Sequence, residues 1–126
     1  MPAQPQRPRR ILLVEDHADT ARIMQRLLRG FHYDVEWGGT IAAALKLAES
    51  SAPFDLVVSD LGLPDGSGLD LMRELRDRYG LTGIALSGYG MEEDVRQSRE
   101  AGFVEHLTKP VNLQALKTTI DTVMAR

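Results

Sequence analysis

The segment Leu56-Val57-Val58-Ser59-Asp60-Leu61-Gly62-Leu63-Pro64-Asp65-Gly66-Ser67-Gly68 decides the fold. It runs from consecutive apolar residues, through an acid, into a turn rich in glycine and proline. A continuous apolar run marks a strand covered on both faces, as in a parallel sheet between layers of helices. Gly62, Pro64, Gly66 and Gly68 then punctuate a loop. Asp60 therefore falls at the carboxyl end of a buried strand, where open α/β sheets place their chemistry.

The same pattern recurs on either side. Ile11-Leu12-Leu13-Val14 ends at Glu15-Asp16, and Ile84-Ala85-Leu86 ends at Ser87-Gly88. Weaker strand candidates are Asp34 to Trp37 and Val104 to Leu107, the second running into Thr108-Lys109-Pro110. Helical stripes lie between them. Ile41, Ala44, Leu45 and Ala48 follow the i, i+3, i+4, i+7 spacing, as do Leu113, Leu116, Ile120 and Val123; Met24 with Leu28 and Met72 with Leu75 mark two more helices. Thr40 and Asn112 are the expected N-caps. Met91 to Ala101 offers Val95 as almost its only large apolar residue, which predicts a thinly anchored helix: a solvated surface element or a mobile partner-binding face. Five strands alternating with five helices predict an α/β fold, a single doubly wound five-stranded parallel sheet with a helix layer on each side.

The 126 residues suit one domain. Met1 to Arg10 holds Pro2, Pro5 and Pro8 with Arg7, Arg9 and Arg10, so residues 1–8 read as a disordered leader or linker and 9–126 as the domain. The absence of cysteine excludes disulfides, thiolate metal sites and a cysteine nucleophile. A net charge of −3 argues against nonspecific nucleic-acid binding. No apolar run approaches the ~20 residues that span a bilayer, and no signal peptide is visible. The expected location is cytoplasmic, with no membrane and no direct nucleic-acid partner.

One rim of the sheet would thus gather Glu15, Asp16, Asp60, Ser87 and Lys109. Two like charges 4 Å apart repel by about 4 kcal/mol at an effective dielectric near 20, so three carboxylates need raised pKa values or a cation. Carboxylates with room for water suit Mg²⁺. An aspartate beside such a cation can attack phosphorus and form an acyl phosphate. Ser87 could donate to the transferred oxygens and Lys109 balance their charge. Singly, each residue is ordinary: a strand-end aspartate is usually a turn residue, Glu15-Asp16 could cap a helix, and His17 reads as a surface histidine. Their convergence is what points to phosphoryl chemistry.

With those motifs in order, the chain resembles the receiver domain of bacterial response regulators and hybrid histidine kinases, over about Arg9 to Met124. The resemblance implies a flavodoxin-like receiver fold. It implies Asp60 as phosphoacceptor, Asp16 as a direct Mg²⁺ ligand, Glu15 acting through water and the Gly62 backbone carbonyl as a further ligand. Ser87 would be the switch hydroxyl and Lys109 the lysine that grips the phosphoryl oxygens, with Lys109-Pro110 cis. His106 stands where the family commonly carries a rotating Tyr or Phe, and brings a group that titrates near neutral pH. Tyr89 could shield the site from water. A sensor histidine kinase or histidine phosphotransfer domain would supply the phosphoryl group, since His17, His32 and His106 lack a histidine-kinase-like context. Ser87 and the fourth helix would then shift to reshape the surface from Met91 to Val123, and the face from the fourth to the fifth helix could support a homodimer. The loop wording is closest to receivers of hybrid sensor kinases, and a chain ending at Arg126 reads as a stand-alone receiver or an excised module.

Three alternatives compete. An aspartate-nucleophile phosphatase of the haloacid dehalogenase type needs a second aspartate two residues on, where this chain has Gly62. A degenerate, non-phosphorylated receiver would not need the complete acid, serine and lysine set. A nucleotide or flavin carrier lacks its loop motif.

Overall fold

A computed structural model of the chain describes residues 8–51, 53–88 and 92–125, with the side chains of 92–94 left aside. The leader expected over residues 1–8 lies almost wholly outside the described residues, as does Tyr89. The order of elements is β1 (Arg10–Val14), α1 (Ala18–Gly30), β2 (Asp34–Gly38), α2 (Ile41–Ser50), β3 (Leu56–Asp60), α3 (Gly68–Tyr79), β4 (Gly83–Ser87), α4 (Glu92–Ala101), β5 (Phe103–Thr108) and α5 (Leu113–Met124). The five strands form one parallel sheet in the order β2-β1-β3-β4-β5. This is the doubly wound order whose switch point lies between β1 and β3.

Alternation along the strands builds two cores. Ile11 and Leu13, Leu56 and Val58, and Ile84 and Leu86 pack against Ala21, Met24 and Leu28 of α1 and Leu116, Ile120 and Val123 of α5. Leu12, Val14, Val57, Ala85 and Phe103 face the other way, onto Ala44 and Ala48 of α2, Leu71, Met72 and Leu75 of α3, and Ala101 of α4. Residues one apart on a strand thus serve opposite helix layers, which explains why β1, β3 and β4 read as unbroken apolar runs. Thr40 and Asn112 cap α2 and α5 through the Ala43 and Ala115 N–H groups. On α4, Val95 is half-buried, and Ser98 and Ala101 are buried.

The turn after β3 holds a feature that the sequence pattern does not announce. Gly62–Leu63 and Gly66–Ser67 pair antiparallel as a miniature hairpin. At its base the Gly68 N–H donates to the Leu61 carbonyl at 2.7 Å, and the Leu69 N–H donates to Ser67 Oγ at 3.1 Å. A Cβ on Gly68 would sit 2.1 Å from the Asp60 carbonyl oxygen. Only glycine lets α3 start this close to the end of β3.

Candidate functional site

Strands β1, β3 and β4 deliver Glu15-Asp16, Asp60 and Ser87 to one edge, and Lys109 arrives just beyond β5. A cleft of about 480 Å³ is lined by Asp16, His17, Asp60, Gly62, Ser87 and Lys109, among others. The Lys109 N–H donates to the Ser87 carbonyl at 2.7 Å, and the Leu61 N–H donates to the Leu86 carbonyl at 3.1 Å. These main-chain bonds fix three loops relative to one another. The Lys109-Pro110 bond is cis.

Asp60 is 3% exposed and Glu15 fully buried. Lys109 Nζ stands 2.5 Å from Asp60 Oδ1 and 3.6 Å from Glu15 Oε1. One cation therefore faces two buried carboxylates. Glu15 Oε2 accepts from the His17 backbone N–H at 3.1 Å, whereas Glu15 Oε1 and Asp60 Oδ2 are buried acceptors without a donor among the described residues. Such groups are costly. Burial pushes the Asp60 carboxyl up to about 7, reinforced by the adjacent Glu15, to which the protonated form would donate and whose charge opposes ionisation, while Lys109 pulls the other way. Burial also opposes ionisation of Glu15, but its bonds with Asp60 and His17 and the Lys109 charge outweigh that and hold it below the usual range. The Lys109 ammonium is discouraged by burial, yet its carboxylate neighbours raise its pKa overall.

The donor set is oxygen-rich and short of positive charge. Two orphaned buried carboxylate oxygens beside a partly exposed Asp16 are what a small hard cation would satisfy. His17 is 73% exposed on its side chain, as a surface histidine should be, but its Nδ1 lies 3.4 Å from both Glu15 Oε2 and Asp16 Oδ1. His106 is not brought to the cleft lining. It projects from β5 toward α4, with Nδ1 3.4 Å from the buried Ser98 Oγ.

Residues 11–121 match the response regulator receiver domain family. The chain belongs to that family. Among curated relatives, this receiver is 33% identical over 114 residues to the response regulator protein PilR of Pseudomonas aeruginosa, covering 90% of this chain and 25% of PilR. It is 32% identical over 116 residues to the KDP operon transcriptional regulatory protein KdpE of Escherichia coli, covering 92% and 51%. The receiver thus spans a quarter of PilR and about half of KdpE. Among solved structures, the non-phosphorylated HemR receiver domain of Leptospira biflexa superposes with a TM-score of 0.86 at 34% identity, covering 94% of this chain and 95% of that one. A CheY-like receiver domain protein from Methanospirillum hungatei gives 0.87 at 29% identity, covering 94% of each.

Sequence reasoning located the acid pair, the aspartate, the serine and the lysine of this receiver, but it passed over three supports. The Trp37 indole N–H donates to the Glu15 carbonyl at 2.7 Å. Gly68 permits the close start of α3. Asp65 reaches α2, accepting from the Ile41 N–H at 2.8 Å and the Ala42 N–H at 3.1 Å. The first and third join segments more than twenty residues apart in the chain, which no local pattern encodes. The Gly68 signal was visible only as one glycine among several in the loop.

Proposed function

We propose that this receiver takes a phosphoryl group from a phosphohistidine onto Asp60 in a Mg²⁺-dependent reaction and thereby switches a partner-binding surface. The observation that carries the reading is the buried Asp60 carboxylate, held on one oxygen by Lys109 and left on the other without a donor among the described residues. Asp16, Asp60 and the Gly62 carbonyl would hold the ion, with Glu15 assisting through water. When bound, Mg²⁺ supplies positive charge against the carboxylates and the phosphoryl oxygens.

An Asp60 carboxylate oxygen forms the new O–P bond as the donor's P–N bond breaks, and the electron pair returns to the donor imidazole, which takes a proton. Lys109 then exchanges part of its contact with Asp60 for the phosphoryl oxygens, and Ser87 donates its hydroxyl to them. Positioning and charge carry such a transfer. Water later hydrolyses the acyl phosphate, with Tyr89 as a shield. Relaying the signal falls to Ser87, α4 and the His106–Ser98 contact, with a homodimer through the α4 to α5 face as one outcome.

The phosphodonor is a sensor histidine kinase or a histidine phosphotransfer domain. Supporting this, the cleft adjoins an apolar groove of about 620 Å³ lined by Ile23, Met24, Pro110, Val111 and Leu113, in which Ile23 is 57% exposed. No described helix is long and apolar enough to cross a membrane, which fits the proposed cytoplasmic setting. Incubation with a phosphorylated histidine phosphotransfer domain tests the reading. Label should move to the receiver with Mg²⁺ and stay on the donor with a chelator or with Asp60→Asn. Transfer that ignores both changes would refute it.

A further inference from the structure

We infer that Asp65 is a positioning residue for the metal-binding loop, clasping it to the N-terminus of α2. The inference rests on the Mg²⁺ site proposed above and identifies what holds its main-chain ligand in place.

The loop that carries Gly62 has two fixed points. Its base is closed by the Gly68–Leu61 bond and by the Ser67 hydroxyl under the Leu69 N–H. Gly62 pairs with Ser67 and Leu63 with Gly66 in the hairpin, so the position of Gly62 follows the tip between them. That tip is Pro64-Asp65, and a two-by-two-residue hairpin is marginal without further support. Asp65 provides it. Both of its carboxylate oxygens accept main-chain N–H groups of the first turn of α2. These donors have no partner within the helix, and a carboxylate there also meets the positive end of the helix dipole. The two bonds hold the Asp65 carboxyl below the usual range, as charge-assisted acceptance requires.

Next to the clasp, Gly66 has φ +150° and leaves 3.0 Å between its would-be Cβ and Ile41 Cδ1. The tip is therefore fitted to α2 by contact as well as by hydrogen bonds. Thr40 caps the same helix through the Ala43 N–H, so Asp65 and Thr40 share the α2 amides between them. Asp65 itself is exposed; replacing it removes no core packing. Its effect travels through Pro64 and Leu63 to Gly62, at the edge of the cleft.

The test compares wild type, Asp65→Ala, Asp65→Asn and Asp16→Ala over the full chain, titrated with Mg²⁺ by calorimetry at a temperature where circular dichroism shows each folded. Asp65→Ala should bind Mg²⁺ about tenfold more weakly, the scale of losing a partner that orients a metal ligand. Amide exchange at Gly62 and Ser67 should quicken in its metal-free form. Asp65→Asn keeps an acceptor for the Ile41 N–H and should restore most of the affinity. An Asp65→Ala affinity equal to wild type, with Asp16→Ala unable to bind, would overturn the clasp and leave the metal site standing. No saturable binding by wild type would overturn both. Should Asp65→Ala fail to fold, Asp65→Ser, whose shorter side chain keeps a single acceptor, takes its place and should bind Mg²⁺ more weakly than wild type and Asp65→Asn; wild-type affinity in it would overturn the clasp.

Discussion

Lys109 Nζ lies 2.5 Å from Asp60 Oδ1, although the two residues come from strands that β4 separates, one just beyond β5 and one at the end of β3. Lys109 balances a carboxylate that is almost wholly buried. Removing it leaves that charge uncompensated, which is the expensive way to break a buried pair. Because Lys109 is itself one-third exposed, the cost is moderated to about 1–3 kcal/mol. Lys109→Met should lose this much stability in urea. In an Asp60→Asn background the same change should cost less, since only the more distant Glu15 carboxylate, 3.6 Å away, still needs the charge. Equal costs in both backgrounds would show that the two residues do not act as a pair.

The acid cluster is strained when metal-free. Glu15 Oε1 and Asp60 Oδ2 are buried without donors among the described residues, so removing one charge should relieve the fold. Asp60→Asn is expected to raise the Tm of the metal-free chain, with a gain of about 1–3 kcal/mol. Mg²⁺ should raise the wild-type Tm in proportion to its occupancy and should narrow the gap to Asp60→Asn. A thermal-shift series with and without Mg²⁺ checks both signs. A destabilised Asp60→Asn would mean that Lys109 more than compensates the cluster.

Tyr33 offers a titration away from the cleft. Burial first, then its hydrogen bond to Asp121 and the Asp121 charge, push the Tyr33 phenol up to about 12; the hydroxyl donates to Asp121 Oδ1 at 2.6 Å. A pKa raised on folding adds stability that is complete below the unfolded value of 10.0 and is lost as pH climbs toward about 12. Urea unfolding of wild type should weaken across that interval, and Tyr33→Phe should lack this component. Identical pH dependence in the two proteins would contradict the assignment.

Gly68 should tolerate no side chain. With a Cβ 2.1 Å from the Asp60 carbonyl oxygen, Gly68→Ala must push α3 or the end of β3 aside. The expected loss is about 1–3 kcal/mol, as for other overpacked sites, together with weaker Mg²⁺ binding because the displaced backbone carries Asp60. Urea unfolding paired with a Mg²⁺ titration measures both. A substitution that lowers stability and leaves Mg²⁺ affinity intact would locate the displacement in α3.

The fold was legible because burial on both faces leaves an unmistakable pattern. Leu56 to Val58 and Ile11 to Val14 could only be central strands, and their positions placed Asp60, Glu15 and Asp16 on one edge. The edge strands were fainter: Asp34–Gly38 mixes exposed, half-buried and buried residues without a clean alternation, and Phe103–Thr108 is mostly half-buried, so each ran one or two residues past its expected bounds. The hairpin at Gly62–Ser67 was hidden because two-residue strands carry no periodicity. Asp65 on α2 and Trp37 on Glu15 were hidden because each bond joins residues distant in sequence. His106 was legible as an oddity of type, and its neighbour Ser98 became visible only once β5 lay against α4.

Intact mass spectrometry after incubation with acetyl phosphate and Mg²⁺ tests the central claim most directly. The account predicts a single adduct of ~80 Da, the mass that phosphorylation adds, mapping to Asp60 and absent with a chelator or in Asp60→Asn. An adduct of that mass that persists in Asp60→Asn, or that forms equally well without a divalent cation, would contradict it.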